Sequence, residues 1–284
     1  MAGVIENCNW LKRVHIMGVI NCTPDSFFQS SRAKTIDAAI KKAEEMSASG
    51  ADLLDIGGES SRPGSEPTSV EEELGRVIPV VEAVAKRAAL PISVDTYKAE
   101  VARQALQAGA SMINDISALT FDPDMLGVLS LSKAGVVLMH TKGRPKEMQK
   151  NPVYRNLLEE IHQFLFRQIA LLEQAGVTRD KIIIDPGIGF GKSIDDNYRI
   201  INNLKKFKSL GCPLLVGLSR KSFIQKVLQL NSEDCLEGTI AMNSVAIMNG
   251  ANILRVHDVK EAKRAALVCD YLKKIKNVEA GDVG

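Results

Sequence analysis

One arrangement recurs about eight times along this chain: a short apolar run ends at a polar residue, and an amphipathic stretch follows. Continuous apolar runs are typical of parallel strands that are buried on both faces, whereas half-buried strands alternate apolar and polar residues. Strict alternation of strands and helices favours a parallel sheet, and eight units favour its closure into a barrel. The sequence therefore predicts the α/β class and a single (β/α)8 TIM barrel.

The apolar runs and the stretches between them give the expected boundaries. Strands are predicted at 14–20, 51–56, 91–95, 111–114, 135–139, 181–185, 213–217 and 252–256. Helices are predicted near 35–49, 70–88, 98–108, 123–133, 153–175, 195–208, 220–249 (broken near 231) and 258–273. The two longest strand-to-helix loops, 21–34 and 57–69, then lie at the same end of the barrel.

Length and composition fit one large domain. A barrel of this kind takes roughly 250 residues, and the chain has 284, of which 45% are hydrophobic. We therefore expect one domain over 1–284, with a short N-terminal extension at 1–12 and a flexible tail at 274–284.

Charge, hydropathy and cysteine content argue against several classes of protein. A formal net charge of +2 without basic blocks is not typical of nucleic-acid binding. No apolar run reaches the roughly 18 residues of a membrane helix, and the N-terminus lacks the features of an export signal. The cysteines are five in number and widely spaced, which favours reduced thiols and a cytoplasmic location.

Polar residues at the ends of the predicted strands are the first candidates for a site, because these ends converge on one mouth of a barrel. Asp95, Asn114 and Asp185 end three different strands. Taken alone, Asp95 is better explained as a helix cap. Two carboxylates and an amide around one cavity, however, suit a ligand rich in N–H donors, such as a 2-amino-4-oxo-pyrimidine edge. Lys221, after the seventh strand, could donate to the carbonyl oxygen of that ring.

The glycine-rich segment 185–193 invites a phosphate-loop interpretation that its spacing does not support. Pro186 occupies the position at which a Walker loop has its first glycine, and the segment has GxGxG rather than the dinucleotide pattern GxGxxG. It is either a tight strand-to-helix turn or a stretch whose backbone approaches a flat ligand. The strand-terminal Asp185 favours the second interpretation.

Two early loops carry candidates for anion or cation binding. Asn21 ends the first strand, where its amide could hold a hard cation or a phosphate, although an ordinary turn explains segment 21–27 equally well. Ser61 and Arg62 precede Pro63 in the loop 57–69. A hydroxyl and a guanidinium before a rigid turn form a plausible anion clamp, the alternative being a solvated loop.

The last strand adds Arg255 and His257, which lie on one face at a spacing of two residues. Anion sites are frequent after the last strands of such barrels, so we assign this pair to an anionic group. The sequence has no GxSxG elbow, no HExxH helix and no cysteine-centred nucleophile site. This favours catalysis by positioning and electrostatics without a covalent enzyme intermediate.

With these motifs in place, the chain resembles the dihydropteroate synthase family from Met17 to about Leu272. The similar segments, in order, are 17–27, 55–64, 93–98, 113–116, 185–192, 217–222 and 255–259. The resemblance implies a transferase that joins 6-hydroxymethyl-7,8-dihydropterin diphosphate to 4-aminobenzoate and releases diphosphate with the help of Mg²⁺. It also implies a homodimer.

The resemblance assigns roles to residues that match the family's motifs. The pterin is expected on Asp95, Asn114, Asp185 and Lys221, in a pocket that Met139 and Gly217 also line. The diphosphate is expected on Asn21, Ser61, Arg62, Arg255 and His257, with Asn21 also near Mg²⁺. The aminobenzoate is expected to meet Arg62, Pro63, Phe190, Lys221 and Ser222. Catalysis is expected to depend on Asp95, Asp185, Lys221, Arg255 and His257.

The implied chemistry is a dissociative substitution in which loops 21–34 and 57–69 close to exclude water. Negative charge builds on the departing diphosphate, so removal of Arg255 is expected to cost on the order of 10²–10³ in rate. Because an arylamine is neutral at pH 7, its attack requires correct positioning more than a strong base.

Two departures from the family pattern and two rival functions remain. Ser61 stands where the family commonly has Thr, and segment 28–32 lacks the usual Asp-Gly-Gly. The second departure concerns the closed conformation of the loop 21–34. One rival is a pterin-binding methyltetrahydrofolate:corrinoid methyltransferase, which shares the barrel and pocket but has no diphosphate to hold. The other is a non-catalytic pterin-binding barrel, which does not require competent side chains at every strand end.

Overall fold

The computed structural model describes residues 9–23, 32–150 and 152–281, and within them eight parallel strands form one sheet. The sheet order is β6-β5-β4-β3-β2-β1-β8-β7. An isolated parallel bridge between Ile184 and Leu214 joins the two outer strands, and Ile184 N donates to Pro213 O at 2.9 Å. The sheet is thus nearly closed, and the predicted TIM barrel is confirmed.

The strands are β1 His15–Asn21, β2 Leu53–Gly57, β3 Ile92–Asp95, β4 Met112–Asp115, β5 Gly135–Met139, β6 Ile182–Asp185, β7 Leu215–Val216 and β8 Ile253–Val256. The α-helices of the described residues are α1 Arg32–Ala48, α2 Val70–Arg87, α3 Ala99–Gln107, α4 Met125–Leu131, α5 Leu157–Gln174, α6 Ile194–Asn202, α7 Ser222–Leu228, α8 Leu236–Met248 and α9 Val259–Gly281. Short 3₁₀ helices cover Arg179–Lys181, Leu204–Leu210 and Ser232–Asp234.

Strand β7 is shorter than its predicted bounds of 213–217. Pro213 has no N–H and cannot donate to a strand ladder. The next amide, that of Leu214, donates to the side-chain Oδ1 of Asn252 at 3.0 Å rather than to a strand carbonyl. Only Leu215 and Val216 therefore remain as regular strand.

Side-chain caps fix where two of the helices begin. Ser193 and Asp196 form a reciprocal capping box at the start of α6. The cap of α2 is Ser69, whose Oγ accepts from Glu72 N at 3.1 Å. The amide of Thr68 donates to Glu59 Oε2 at 2.9 Å.

Secondary structure or packing reaches close to both ends of the described residues. Helix α9 continues to Gly281, through most of the segment that we expected to be a flexible tail. At the other end, Trp10 is only 5% exposed and packs edge-on against His15, with ring centroids 4.9 Å apart. It belongs to one apolar cluster with residues from inside the barrel: Met17, Leu53, Met112, Val137, Ile183, Leu215 and Ile253. Trp10 is therefore part of the core at the N-terminal end of the barrel, whereas residues 11–13 are exposed.

None of the helices in the described ranges combines the length and the apolar character that crossing a lipid bilayer requires.

Candidate active site

Polar side chains from several strands converge at the C-terminal mouth of the barrel. Asn21, Asp95 and Asp185 are the last residues of β1, β3 and β6, Asn114 is the last but one of β4, and Met139 ends β5. In the sheet register, Asp95 lies opposite Asn114, and Met139 lies opposite Asp185. The strand-end positions chosen from the sequence are therefore neighbours in space.

A buried carboxylate that the sequence analysis did not select links several of these residues. Asp55, in β2, is fully buried, and its Oδ2 accepts from Arg255 Nε at 2.6 Å and from Asn114 Nδ2 at 3.1 Å. Arg255 also donates through Nη2 to Asp95 Oδ2 at 2.7 Å. We call Asp55, Asp95, Asn114 and Arg255 the mouth network, which joins β2, β3, β4 and β8.

Burial and charge shift the acidities within the mouth network. Burial raises the pKa of Asp95; the Arg255 guanidinium opposes this effect, and the Asp55 carboxylate adds to it. Burial acts to lower the pKa of Arg255, but the carboxylates of Asp55 and Asp95 outweigh it and the pKa rises. Because breaking a buried ion pair costs about 3–5 kcal/mol, these contacts hold Arg255 and Asp95 in place.

One acceptor of the mouth network has no partner. Asp55 Oδ1 is buried and makes no hydrogen bond with any described residue. Buried polar atoms in native proteins are nearly always satisfied, so such an atom is a place where a ligand or water donates.

The glycine-rich loop after β6 forms a tight turn over Asp185. Asp185 Oδ1 accepts from Gly187 N at 2.7 Å, and Gly189 N donates to Asn197 Oδ1 at 2.7 Å. Gly187 has φ +72°, and a Cβ there would lie 1.8 Å from the carbonyl oxygen of His140. The turn therefore requires glycine for its own geometry. The other oxygen, Asp185 Oδ2, accepts no hydrogen bond from a described residue.

Lys221 lies beside this turn. Its Nζ donates to Ile188 O and lies 4.8 Å from the centroid of the Phe190 ring. A Cβ on Gly217 would be 3.8 Å from Lys221 Nζ, an ordinary van der Waals distance, so the ammonium group lies next to Gly217. Burial lowers the pKa of Lys221 to about 8, and the carboxylate of Asp185 opposes the shift. Burial likewise raises the pKa of Asp185, against the influence of Lys221.

A second lysine, Lys192, hydrogen-bonds the glycine-rich loop to the loop after β5. Lys192 is buried, and its Nζ donates to Phe190 O at 2.9 Å and lies 3.1 Å from His140 Nδ1. Burial lowers the pKa of Lys192, and burial together with Lys192 lowers the pKa of His140 to about 2. His140 is therefore neutral and accepts at Nδ1, so that the pair joins the loops after β5 and β6.

His257 follows β8 at the rim of the mouth. Its Nδ1 lies 3.1 Å from Ser219 Oγ, and its backbone N–H donates to the same oxygen at 3.3 Å. Although part of the ring faces solvent, desolvation by the surrounding rim, followed by the charge of Arg255, lowers the pKa of His257 to about 4. The imidazole is neutral at pH 7. Arg220, by contrast, is paired with Asp258 at 2.8 Å, which is a structural role.

The base of the loop 57–69 is fixed by a buried cluster of charges. Glu59 accepts from Tyr97 OH at 2.7 Å and from Lys98 Nζ, and Lys98 also pairs with Glu73 on α2. Burial raises the pKa of Glu73, although the Lys98 ammonium opposes this. The loop therefore leaves the barrel at a defined point.

Other predicted contacts are not drawn together. Ser61 is half-buried, and Arg62, Pro63 and Ser222 are exposed. Among the described residues, no hydrogen bond joins the side chains of Ser61, Arg62 or Ser222 to the mouth network or to Asp185. These residues stand at the rim of the mouth.

The possible metal position rests on Asn21. Within the described residues no group of three or more His, Cys, Asp and Glu side chains is arranged to hold a metal ion. The half-buried Asn21 side chain makes no hydrogen bond with the described part of the chain, so its amide oxygen can serve as one ligand. Most of the loop 21–34, including segment 28–31 with its unusual sequence, lies outside the described residues, and Arg32 starts α1.

Comparison with known proteins gives a consistent family. The family described as "Pterin binding enzyme" matches residues 17–257. A dihydropteroate synthase of Synechocystis is 46% identical over 265 residues, which is 93% of this chain and 92% of that protein. A crystal structure of the Yersinia pestis dihydropteroate synthase in a sulfonamide drug complex superposes with a TM-score of 0.88, at 41% identity, covering 93% of this chain and 96% of the other. That of Xanthomonas albilineans with 4-aminobenzoic acid has a TM-score of 0.85, at 43% identity, covering 93% and 94%.

The chain belongs to the dihydropteroate synthase family. The matched span runs from β1 to the residue after β8 and so includes every site residue selected from the sequence. The members of this family are transferases of folate biosynthesis. The methyltransferase alternative is not favoured, because the similar proteins reported above are dihydropteroate synthases by name.

Sequence reasoning missed residues whose partners are distant in the chain. Asp55 is 200 residues from Arg255, and Glu59 is 39 residues from Lys98. A signal existed for Asp55, since a lone carboxylate inside the apolar run 53–56 must be paired when the strand is buried. No local signal pointed to Ser219 as the partner of His257.

Proposed function

We propose that this protein condenses 6-hydroxymethyl-7,8-dihydropterin diphosphate with 4-aminobenzoate to form 7,8-dihydropteroate and diphosphate. The proposal is carried by one observation: in this member of the dihydropteroate synthase family, several polar side chains lie together at the barrel mouth. Asp95, Asn114 and Asp185 lie at the C-terminal ends of β3, β4 and β6, and Lys221 follows β7.

The pterin is proposed to bind deep in this mouth through acceptors that face its N–H groups. Asn114 Nδ2 is occupied by Asp55, which leaves its Oδ1 free to accept. Asp185 Oδ1 is occupied by Gly187 N, so Oδ2 is available in the same way. N–H donors from a ligand favour the ionised carboxylates and oppose the effect of burial on their pKa. Lys221 can donate to the ring carbonyl oxygen.

Departure of the diphosphate is proposed to be assisted at the rim of the mouth. Arg255 supplies a fixed positive charge, because the mouth network determines its position. His257 is neutral at pH 7, so its contribution is a hydrogen bond rather than a charge. Ser61 and Arg62 are carried by the loop 57–69 and can approach the phosphates from outside. Preorganised donors of this kind stabilise charge that develops in the transition state.

Mg²⁺ is part of the proposal, and the residues present fit a weakly held ion. Mg²⁺ prefers oxygen ligands and is often bound by one or two protein groups together with substrate phosphates. Asn21 would supply the protein oxygen. When bound, the ion would neutralise charge on the leaving diphosphate.

The aminobenzoate is proposed to enter above the pterin, between the rim residues. Phe190 offers an apolar ring, and Lys221 lies over that ring. Arg62, Pro63 and Ser222 surround the entrance, where the hydroxyl and the guanidinium suit a carboxylate. The neutral amine then needs only the correct position to attack the methylene carbon as diphosphate leaves.

Product analysis tests this function. Purified protein with the pterin diphosphate, 4-aminobenzoate and Mg²⁺ should release dihydropteroate and diphosphate in equal amounts, and chelation of Mg²⁺ should stop both. Absence of both products from folded protein would contradict the proposal, and methyl transfer to a corrinoid would establish the alternative.

A homodimer is also proposed, on the basis of an exposed apolar face. Tyr271 is 66% exposed and Leu267 is 61% exposed, both on α9. The same face includes further large apolar residues: Val245 of α8 and Val268, Leu272 and Ile275 of α9. Contiguous exposed apolar surface marks interaction sites, and a twofold interface uses one such patch from each subunit.

A cytoplasmic location completes the proposal. Four cysteines of the described chain are buried as free thiols: Cys22, Cys212, Cys235 and Cys269. Burial raises the pKa of Cys22 to about 12 and that of Cys212 to about 11, so these thiols are unreactive structural groups.

A further inference from the structure

The loop after β5, residues 141–150, contacts loops on either side of it at the barrel mouth. We call it the bridging loop. On one side, Pro145 O accepts from Gly64 N at 3.0 Å, which ties it to the loop 57–69. On the other side, Gln149 Nε2 donates to Gly189 O at 2.6 Å, which ties it to the glycine-rich loop.

Further contacts hold the bridging loop in one arrangement. Lys146 Nζ pairs with Glu66 of the loop 57–69 at 2.9 Å. The guanidinium of Arg144 lies 4.4 Å from the centroid of the Phe121 ring and 5.8 Å from that of Tyr97. Tyr97 in turn donates to Glu59, so the same aromatic pair touches the bridging loop and the base of the loop 57–69.

The two bridged positions are adjacent to residues assigned to the aminobenzoate. Gly64 directly follows Pro63, and Gly189 directly precedes Phe190. A contact on a neighbouring backbone unit limits where the next side chain can lie. The bridging loop therefore spans the distance between the two walls of that subsite.

We propose that the bridging loop sets the separation of Pro63 and Phe190, with Gln149 and Lys146 as positioning residues for 4-aminobenzoate. This inference rests on the proposed function. It assigns the two residues to the arylamine site and not to the pterin site, because neither contacts the mouth network. The effect should consequently appear in one KM only.

The first test removes the Gln149 hydrogen bond. Gln149→Ala should raise the KM for 4-aminobenzoate about threefold to tenfold, the range expected for loss of one hydrogen bond, with the KM for the pterin diphosphate and the melting temperature unchanged. Gln163→Ala is the matched control, since Gln163 is an exposed glutamine on α5 that donates to Glu159 at 2.9 Å. An unchanged KM for 4-aminobenzoate, or an equal rise of both KM values, would overturn the assignment.

The second test exchanges the charges of an exposed ion pair. Lys146→Glu and Glu66→Lys should each raise the KM for 4-aminobenzoate about twofold to fivefold, and the double exchange should restore it. A double variant no better than the single ones would count against the ion pair as a positioning contact. Wild-type turnover distinguishes the two levels of failure: no dihydropteroate from the wild type contradicts the proposed function, whereas normal turnover with unaltered variants contradicts only this inference.

Discussion

At the scale of single residues, the carboxylate of Asp55 controls the geometry of the barrel mouth. Among the described residues, its side chain is the only one that accepts hydrogen bonds from the side chains of both Arg255 and Asn114, and it has no access to solvent. A change of this carboxylate should therefore affect substrate turnover without any direct contact between Asp55 Oδ2 and substrate.

Asp55→Asn should lower kcat/KM for the pterin diphosphate about 10- to 100-fold, because a hydrogen bond to a charged group is worth about 1.5–3 kcal/mol. Steady-state kinetics measures this. Asp52→Asn is the control: Asp52 lies before β2 at the other end of the barrel and pairs with Arg13 at 2.7 Å and with Lys263 at 3.3 Å. It should affect stability and leave kcat/KM within about twofold. Equal kinetic effects of the two changes would contradict the role of Asp55.

Lys221 gives a prediction in pH. Because burial lowers its pKa to about 8, the ammonium form is present below that pH and is lost as the pH rises through it. Since kcat/KM reports the free enzyme, kcat/KM for the pterin diphosphate should fall by as much as about tenfold per pH unit above about pH 8. Lys221→Arg keeps the charge and should move this fall to higher pH. A profile that stays flat to about pH 10 would show that the charge of Lys221 is not required.

At the scale of the single element, substitutions at the helix N-termini test which residue caps α2. Ser69→Ala and Ser193→Ala should each lower the free energy of unfolding by about 1 kcal/mol, because each removes a side-chain acceptor for a helix-terminal N–H. Thr68→Ala should cost less, since the Thr68 hydroxyl has only a long contact of 3.4 Å with Arg76. Denaturant titrations would contradict this account if Thr68→Ala were the most destabilising of the three.

The strands could be predicted from sequence where burial alone decides them. All eight strands appear where a continuous apolar run had placed them, because a parallel strand that is buried on both faces has no alternation to obscure it. Strand β7 is shorter than predicted because Pro213 has no N–H and because the Leu214 amide donates to the side chain of Asn252. An apolar run in the sequence does not indicate either effect. Helix α9 runs on to Gly281 because no proline or glycine interrupts it after 259.

The site could be predicted only in part, because some of its contacts form only in the folded barrel. Asp95, Asn114 and Asp185 were found because the end of a strand fixes their direction in space. The partners of these residues could not be found, because Arg255 and Asp55 meet only when the barrel closes. The contacts of the loop 57–69 with the bridging loop likewise depend on tertiary structure, and local sequence carries no sign of them.

The apolar face of α8 and α9 is a property of the whole molecule. If it is the interface of a homodimer, Leu267→Glu should shift the protein toward monomer, because each subunit would bury an unpaired charge at the interface. Sedimentation velocity measures the change. Leu131→Glu is the control, since Leu131 is 92% exposed on α4 and lies outside this face. A dimer that tolerates Leu267→Glu, or a wild type that is monomeric, would contradict the proposal.

The central claim for the whole molecule is that side chains at the strand ends bind the pterin within the barrel mouth. Calorimetric titration with the pterin diphosphate, comparing Asp185→Asn with Asp180→Asn, tests it most directly, because Asp180 precedes β6 at the opposite end of the same strand. We expect Asp185→Asn to weaken binding about tenfold or more and Asp180→Asn to bind as the wild type does. Of these two residues, only Asp185 offers its carboxylate to the ligand. Equal affinity of the two variants would contradict the claim.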